Sequence, residues 1–439
     1  MLKKIISLLL LISTYFIGTF STHSLAQQPI PANAQTKSIL LVGGTAHIGN
    51  GTVLEKSLIG FKNGKLAMVK PFTTDYKNEG YEEIIDVSGK HIYPGIIAPN
   101  STLGLVEIES VRATRDFSDA ILYAPNIRAQ IAYNTNSKIT PTVRANGVLI
   151  AQVAPRSGYL SGTSCIMELD GWNWEDATLK ADDGIHLNWP AFQKNTGWWA
   201  EPGTLEKNTL YTKQTTEIIS FLENAKAYCA ATEHPEKDLK SESLARIFNG
   251  TQSLFLHANG TREITDAILQ LKKLNIPKIV LIGGKDISLS IDILKQHNIP
   301  VIVNRLHDLP EKTEDDINTL YKLPALLKQH GILFCLNNEG DMDAMNLRNL
   351  PFLAGTAAAY GLSKEEALST ITSNAAKILG IDTLIGSLEI GKHATLFVSE
   401  GDALDMRTNN VTHAYIQGKK IDLNTEQKQL YKIYSEKFK

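Results

Sequence analysis

One feature limits this chain more than any other: all-β chemistry at both ends encloses a long series of alternating strand and helix patterns. The first β stretch starts at Ile39-Leu40-Leu41-Val42 and runs through Ser57–Phe61 and Lys65–Val69 to Ile84-Ile85-Asp86-Val87. Asn63-Gly64 separates two of these short alternating segments, which predicts a tight hairpin. After Gly380 the chain returns to the same chemistry at Ala394–Val398 and Val411–Ile416. Between them stand apolar runs of strand length, among them Gly147–Ala151, Ser253–Leu256, Lys278–Ile282, Pro300–Val303 and Ile332–Leu336. Helical patterns separate most of these runs. Near-continuous apolar strands between helices imply parallel strands covered on both faces. Repetition on this scale favours a TIM-type (β/α)₈ barrel over an open sheet. The expected fold is α/β: a barrel over 93–380, with a small composite β-sandwich from 37–92 and 381–425. Residues 426–439 read as a C-terminal helix or tail.

The first 26 residues read as a signal peptide. Lys3 and Lys4 are followed by a short apolar run, and Ser24-Leu25-Ala26 supplies the small residues a signal peptidase cuts after. The expected protein is therefore exported, periplasmic or extracellular, with no membrane attachment after cleavage. Residues 27–36 read as a disordered lead-in. A formal net charge of −2 gives no reason to expect nucleic acid as a partner. Cys165, Cys229 and Cys335 are too far apart for a metal-ligand spacing.

Residues 195–246 read as a helical insertion with a mixed-charge solvated face, serving as a surface excursion or a dimer contact. All five Trp residues fall between Trp172 and Trp199. They read either as a hydrophobic insertion packed on the barrel or as an exposed binding surface.

Asp86–Ile97, with its Pro94-Gly95 entry, resembles the segment leading into the first barrel strand of the amidohydrolase superfamily, its imidazolonepropionase-like and dihydroorotase-like members. Gly386–Val398 resembles that family's closing sandwich strand, and Ser373–Gly380 its last barrel helix. The resemblance spans roughly 37–422 and implies a hydrolase that cleaves carbon–nitrogen bonds of small molecules. In the family the first strand ends in His-x-His, two metal ligands; here Asn100 and Thr102 occupy those places. The fourth strand offers a lysine, replaced here by His186. The fifth offers a histidine, retained as His257. The sixth offers another, and Leu281–Lys285 has none. The eighth offers an aspartate, near which stand Glu339 and Asp341.

Two readings of these residues stay open. In one, His186, His257 and Glu339 bind a single divalent metal, Zn or Fe, with an open position for water. Glu339 or Asp341 then takes the proton from that water. In the other there is no metal, and the chain is a pseudoenzyme that binds ligand or partners an active amidohydrolase. A third reading is a binding protein that uses the Trp-rich surface. Arg156, in the Gly/Ser-rich loop Ala154–Gly162, and Arg348, beyond the eighth strand, are candidates for holding substrate, as are Asn100 and Thr102. Homo-oligomerisation is compatible with each of these.

Overall fold

The computed structural model describes residues 31–198, 200–201, 203–310 and 315–438. The expected signal peptide, residues 1–26, lies outside the described residues. Both chain ends build one β-sandwich. One sheet holds, in order, Lys65–Pro71, Ser57–Lys62, Ile39–Val42 and Glu83–Asp86. The other runs Lys419–Lys420, Val411–Ile416, Leu396–Ser399, His91–Pro94, Thr45–His47 and Val53–Leu54. Asn63 and Gly64 both take positive φ, 51° and 76°, as a primed hairpin turn requires. Leu41, Ile59, Phe61, Ile92, Leu396 and Val398 fill the space between the sheets.

Among the described residues the wall of the larger unit includes β1 (Ile96–Ser101), β2 (Val148–Val153), β3 (Leu160–Thr163), β4 (Cys165–Glu168), β5 (Gly184–Asn188), β6 (Ser253–His257), β7 (Ile279–Gly283), β8 (Val301–Val303) and β9 (Phe334–Leu336), and Thr178–Lys180 adds an outer strand antiparallel to β4. β1 and β2 are parallel, as are β5 through β9. β4 pairs with β2 and β3 pairs with β5, both antiparallel. Leu160–Glu168 therefore fills the third wall position running backwards. A parallel return needs a crossover of a dozen residues or more, and only Ala154–Tyr159 separates β2 from β3. Among the described residues no ladder joins β9 to β1, and helix Ser373–Leu379 contacts both.

Alternation along the strands sorts the core. Ile97, Ile150, Ile166, Phe255, Ile282, Ile302 and Cys335 form one cluster on the concave side. Leu254, Leu256, Leu281, Val301, Val303 and Leu336 point the other way, toward the covering helices. Helices Tyr211–Ala230 and Leu239–Phe248 belong to this cover. Their buried Ile218, Leu222, Ala225, Leu244 and Ile247 join the main core. The segment expected to be a surface excursion is thus largely the crossover between β5 and β6, with an apolar stripe beneath its charged face. Trp189 is buried and donates to the Tyr211 hydroxyl (3.1 Å). Trp172 and Trp198 are exposed, while Trp174 packs on the core. The described tryptophans therefore divide between packed and exposed positions. All three thiols are free, and Cys165 and Cys335 are buried. No helix among the described residues is long and apolar enough to cross a membrane.

At the end of the wall opposite the site, Ala32 donates its N–H to the Asp170 carboxylate (3.2 Å to the nearer oxygen). Arg144 and Lys419 share that carboxylate. The end of the lead-in, expected to be disordered, is anchored here by charge. Glu168 stands nearby and accepts from Gln417 (2.9 Å). Burial pushes its carboxyl from the ordinary 4.5 up to about 7. A raised folded-state pKa gives stability that is complete below 4.5 and is lost as pH rises through 7. Glu168→Gln should therefore raise stability at pH 8 by about 2–3 kcal/mol relative to its effect at pH 4.5. Urea denaturation at the two pH values reads this directly, and equal effects at both would refute it.

Candidate functional site

Parallel strands present their C-terminal ends to one rim, where enzymes of this architecture do their chemistry. Inward-facing positions above the apolar layer are polar here: Gln152 on β2, His186 on β5, His257 at the end of β6. His186 is fully buried and stacks on Phe255, ring centres 4.8 Å apart. The register pairs His186 with Phe255 and Asn188 with His257. The two histidines are therefore diagonal neighbours on one face, and His186 Nδ1 lies 2.8 Å from His257 Nε2. Burial, with Arg156 nearby, lowers the His257 imidazole to about 3. Burial, His257 and Arg156 hold His186 well below its ordinary value. Both rings are neutral at pH 7, so one donates to the other.

Glu339 follows β9. One oxygen accepts from Asn100 Nδ2 (2.7 Å), and the other lies 4.0 Å from His257 Nδ1. Its side chain stays 24 % exposed, so water reaches it. Asn100 adopts φ 48°, a left-handed conformation that Asn tolerates. Its N–H donates to Gln152 Oε1 (2.9 Å), and Gln152 Nε2 donates to Asp183 (2.6 Å). Arg156 donates to Asn100 Oδ1 (2.6 Å) and to the Asn100 carbonyl (2.8 Å), and it pairs with Asp343 (3.1 Å). Thr102 donates to the other Asp343 oxygen. Burial pushes the Asp343 carboxyl up, against the pull of Arg156 and Thr102.

Six residues singled out from the sequence thus meet at one rim: Asn100, Thr102, Arg156, His186, His257 and Glu339. Their roles differ from several of those expected. The Arg156 fork is committed to Asn100 and Asp343 rather than open for a substrate carboxylate. Asp341 is exposed, and its carbonyl accepts from Asn346 (3.2 Å). Arg348 is elsewhere: its carbonyl accepts from Asn146 (2.8 Å), a residue that precedes β2 and so sits at the opposite end of the wall. Three members were not found from the sequence. Gln152 had a signal, an inward polar residue in an otherwise apolar strand. Asp343 and Asp183 had none, because only the folded chain brings them to Arg156 and Gln152.

This donor set does not suit a metal ion. Zn²⁺ needs several nitrogen or oxygen lone pairs converging at about 2.0–2.2 Å. Here His186 and His257 direct a nitrogen at each other, and Asn100 occupies one Glu339 oxygen. Among the described residues no group of three His, Cys, Asp or Glu side chains could hold a metal ion. The expected His186–His257–Glu339 metal centre does not fit this arrangement, and no chemical step is assigned through one.

The family model described as the amidohydrolase family matches residues 214–421. No curated protein matches the chain. Among solved structures, an amidohydrolase from Thermotoga maritima MSB8 superposes with a TM-score of 0.75 at 23 % identity, covering 88 % of this chain and 99 % of that one. A Xaa-Pro dipeptidase with bound methionine in its active site gives 0.52 at 12 %, covering 88 % and 100 %. Molinate hydrolase gives 0.51 at 14 %, covering 90 % and 96 %. These likenesses bear on the fold and imply a TIM-type barrel with an extra domain.

Proposed function

We propose, from the premise that the chain belongs to the amidohydrolase superfamily, that it hydrolyses a non-peptide carbon–nitrogen bond of a small molecule at this rim, outside the cytoplasm. The observation that carries the reading is Glu339: a carboxylate positioned by Asn100, with one oxygen free of hydrogen bonds and within reach of water. In the mechanism Glu339 takes a proton as water attacks the carbonyl carbon. The C–N bond then breaks, and the same proton passes to the departing nitrogen. Asn100 positions Glu339, and Gln152 and Arg156 fix Asn100. Members of the superfamily typically use a divalent metal to polarise the carbonyl; in this chain the residues named act without an assigned metal step.

The test is turnover of a panel of lactams, cyclic ureides and N-acyl amino acids by the purified protein. Glu339→Gln keeps the shape and the Asn100 contact but removes the base, so activity should fall about 10²–10³-fold. Equal turnover by the variant, or none by the wild type on any panel member, would sink the reading.

A second reading has its own observation. The histidines pair with each other, and Arg156 closes on Asn100 and Asp343, so much of the rim is satisfied from within. That supports a catalytically silent subunit of an active, metal-bearing relative. Recovery of a second barrel protein at a fixed ratio from the native host would favour it.

A further inference from the structure

The C-terminal helix, Glu426–Lys437, is capped by Thr425, whose side chain accepts from the Lys428 N–H (3.1 Å). None of its residues is buried. Leu430, Ile433 and Tyr434, with Phe438 just beyond, are nonetheless apolar and exposed, Ile433 by 61 % and Phe438 by 79 %. At 3.6 residues per turn these positions fall on one side of the helix, with Tyr431 at its flank. Lys428 and Lys432 fall on the other side. A helix of 12 residues is marginal in water by itself. Packing against the body adds little here, so its apolar side has no cover among the described residues.

The charges on that side point to the cover. Glu426, Leu430, Ile433 and Lys437 stand at spacings of four, three and four residues, which make one seam of an α-helix. A two-fold turn about the midpoint between Tyr431 and Lys432 exchanges Glu426 with Lys437 and Leu430 with Ile433. The seam is therefore complementary to its own reverse. We infer that this helix is a homodimer contact, packed antiparallel on the same helix of a second copy of the chain. Leu430 of each copy then meets Ile433 of the other, and Glu426 of each meets Lys437 of the other. Parallel packing would set Glu426 against Glu426 and Lys437 against Lys437. Antiparallel packing also brings the opposite ends of the two helix dipoles together. Such a contact is isologous and closes at two copies. An anionic lipid surface fits less well, because Glu426 stands on the seam and would face the negative headgroups. Each helix is about 18 Å long, and the pair covers less than the roughly 1,600 Å² of a standard interface. The dimer is therefore weak, with a dissociation constant on the order of 10 μM. None of this depends on the hydrolase reading.

Sedimentation velocity of the purified full chain, from about 1 to about 200 μM at low salt, reads the association. The wild type should pass from monomer to dimer over this range. Ile433→Glu should raise the dissociation constant at least about tenfold, since it sets a carboxylate against Leu430 of the other copy. Glu426→Lys or Lys437→Glu alone turns two attractive pairs into two repulsive ones and should raise it at least about threefold. An equimolar mixture of those two variants recovers both attractive pairs and should dimerise as the wild type does. The helix buries nothing against the body, so below the dissociation constant all three variants should melt at the wild-type temperature. Three results would overturn the inference: a wild type that stays monomeric at the highest concentration, a dimer untouched by Ile433→Glu, or a mixture that associates no more tightly than either single variant. Cosedimentation of a monomeric wild type with phosphatidylglycerol vesicles, lost in Ile433→Glu, would assign the face to lipid instead.

Discussion

Phe397→Ala should destabilise the protein by about 3–5 kcal/mol, the usual cost of emptying a large buried aromatic site. The reason is position as well as size. Along Leu396–Ser399 the alternate residues Leu396 and Val398 fill the sandwich core. Phe397 faces the other way, into the cluster of the barrel wall. Its ring stacks on Tyr93, centres 5.2 Å apart, and Tyr93 stacks in turn on His47 at 4.4 Å. Below, it lies on the backbone of Gly147, where a Cβ would come within 2.7 Å of the ring. One side chain thus ties the closing strand to the start of β2, and neighbours anchored in two units cannot easily collapse into its space. Guanidinium denaturation measures the loss. Leu430→Ala, on the exposed C-terminal helix, is the control and should stay within about 0.5 kcal/mol of wild type. A Phe397→Ala effect below about 1 kcal/mol would show that the two units are not coupled through this ring.

The features legible in the sequence were the local ones. Asn63-Gly64 dictates its hairpin because both residues tolerate positive φ. The apolar runs identified β2, β6, β7, β8 and β9 because their residues are buried whichever way they point. Direction was less visible. Leu160–Gly162 reads as the end of a Gly/Ser-rich loop, and only the folded chain shows Leu160–Thr163 and Cys165–Glu168 as strands that run backwards. The stripe of Ile218, Leu222 and Ala225 was masked by the charges around it, so a core crossover looked like a surface excursion. At the site, the family resemblance, followed strand by strand, selects His186, His257, Asn100 and Glu339. Whether two histidines share a metal or a proton depends on strand register, which no local pattern encodes. The same holds for Arg156, whose fork meets Asp343 only through a turn at Met342 with φ 58°.

The histidine pair makes the protein acid-labile in a definable way. His257 is lowered to about 3 by burial and by Arg156, against an ordinary 6.5. A depressed folded-state pKa means the stabilising effect is complete above 6.5 and is lost as pH falls below it, since the unfolded chain takes up the proton and the folded chain resists it. The slope is about 1.4 kcal/mol per pH unit for each buried neutral histidine, so roughly 2 kcal/mol is lost between pH 6.5 and 5 through His257 alone. His186, held low by the same burial and by His257 itself, adds to this. Protonating the accepting ring would also set two N–H donors against each other across the 2.8 Å contact. His257→Gln can keep a hydrogen bond to His186 and does not titrate. Its denaturation midpoint should therefore fall less steeply than wild type from pH 7 to 5. Glu168, Asp183 and Asp343 carry raised carboxyls that work in the opposite sense. The difference between the two proteins, in which those terms cancel, is thus the quantity to read. Parallel curves over that interval would mean that the pair is not neutral and buried as described.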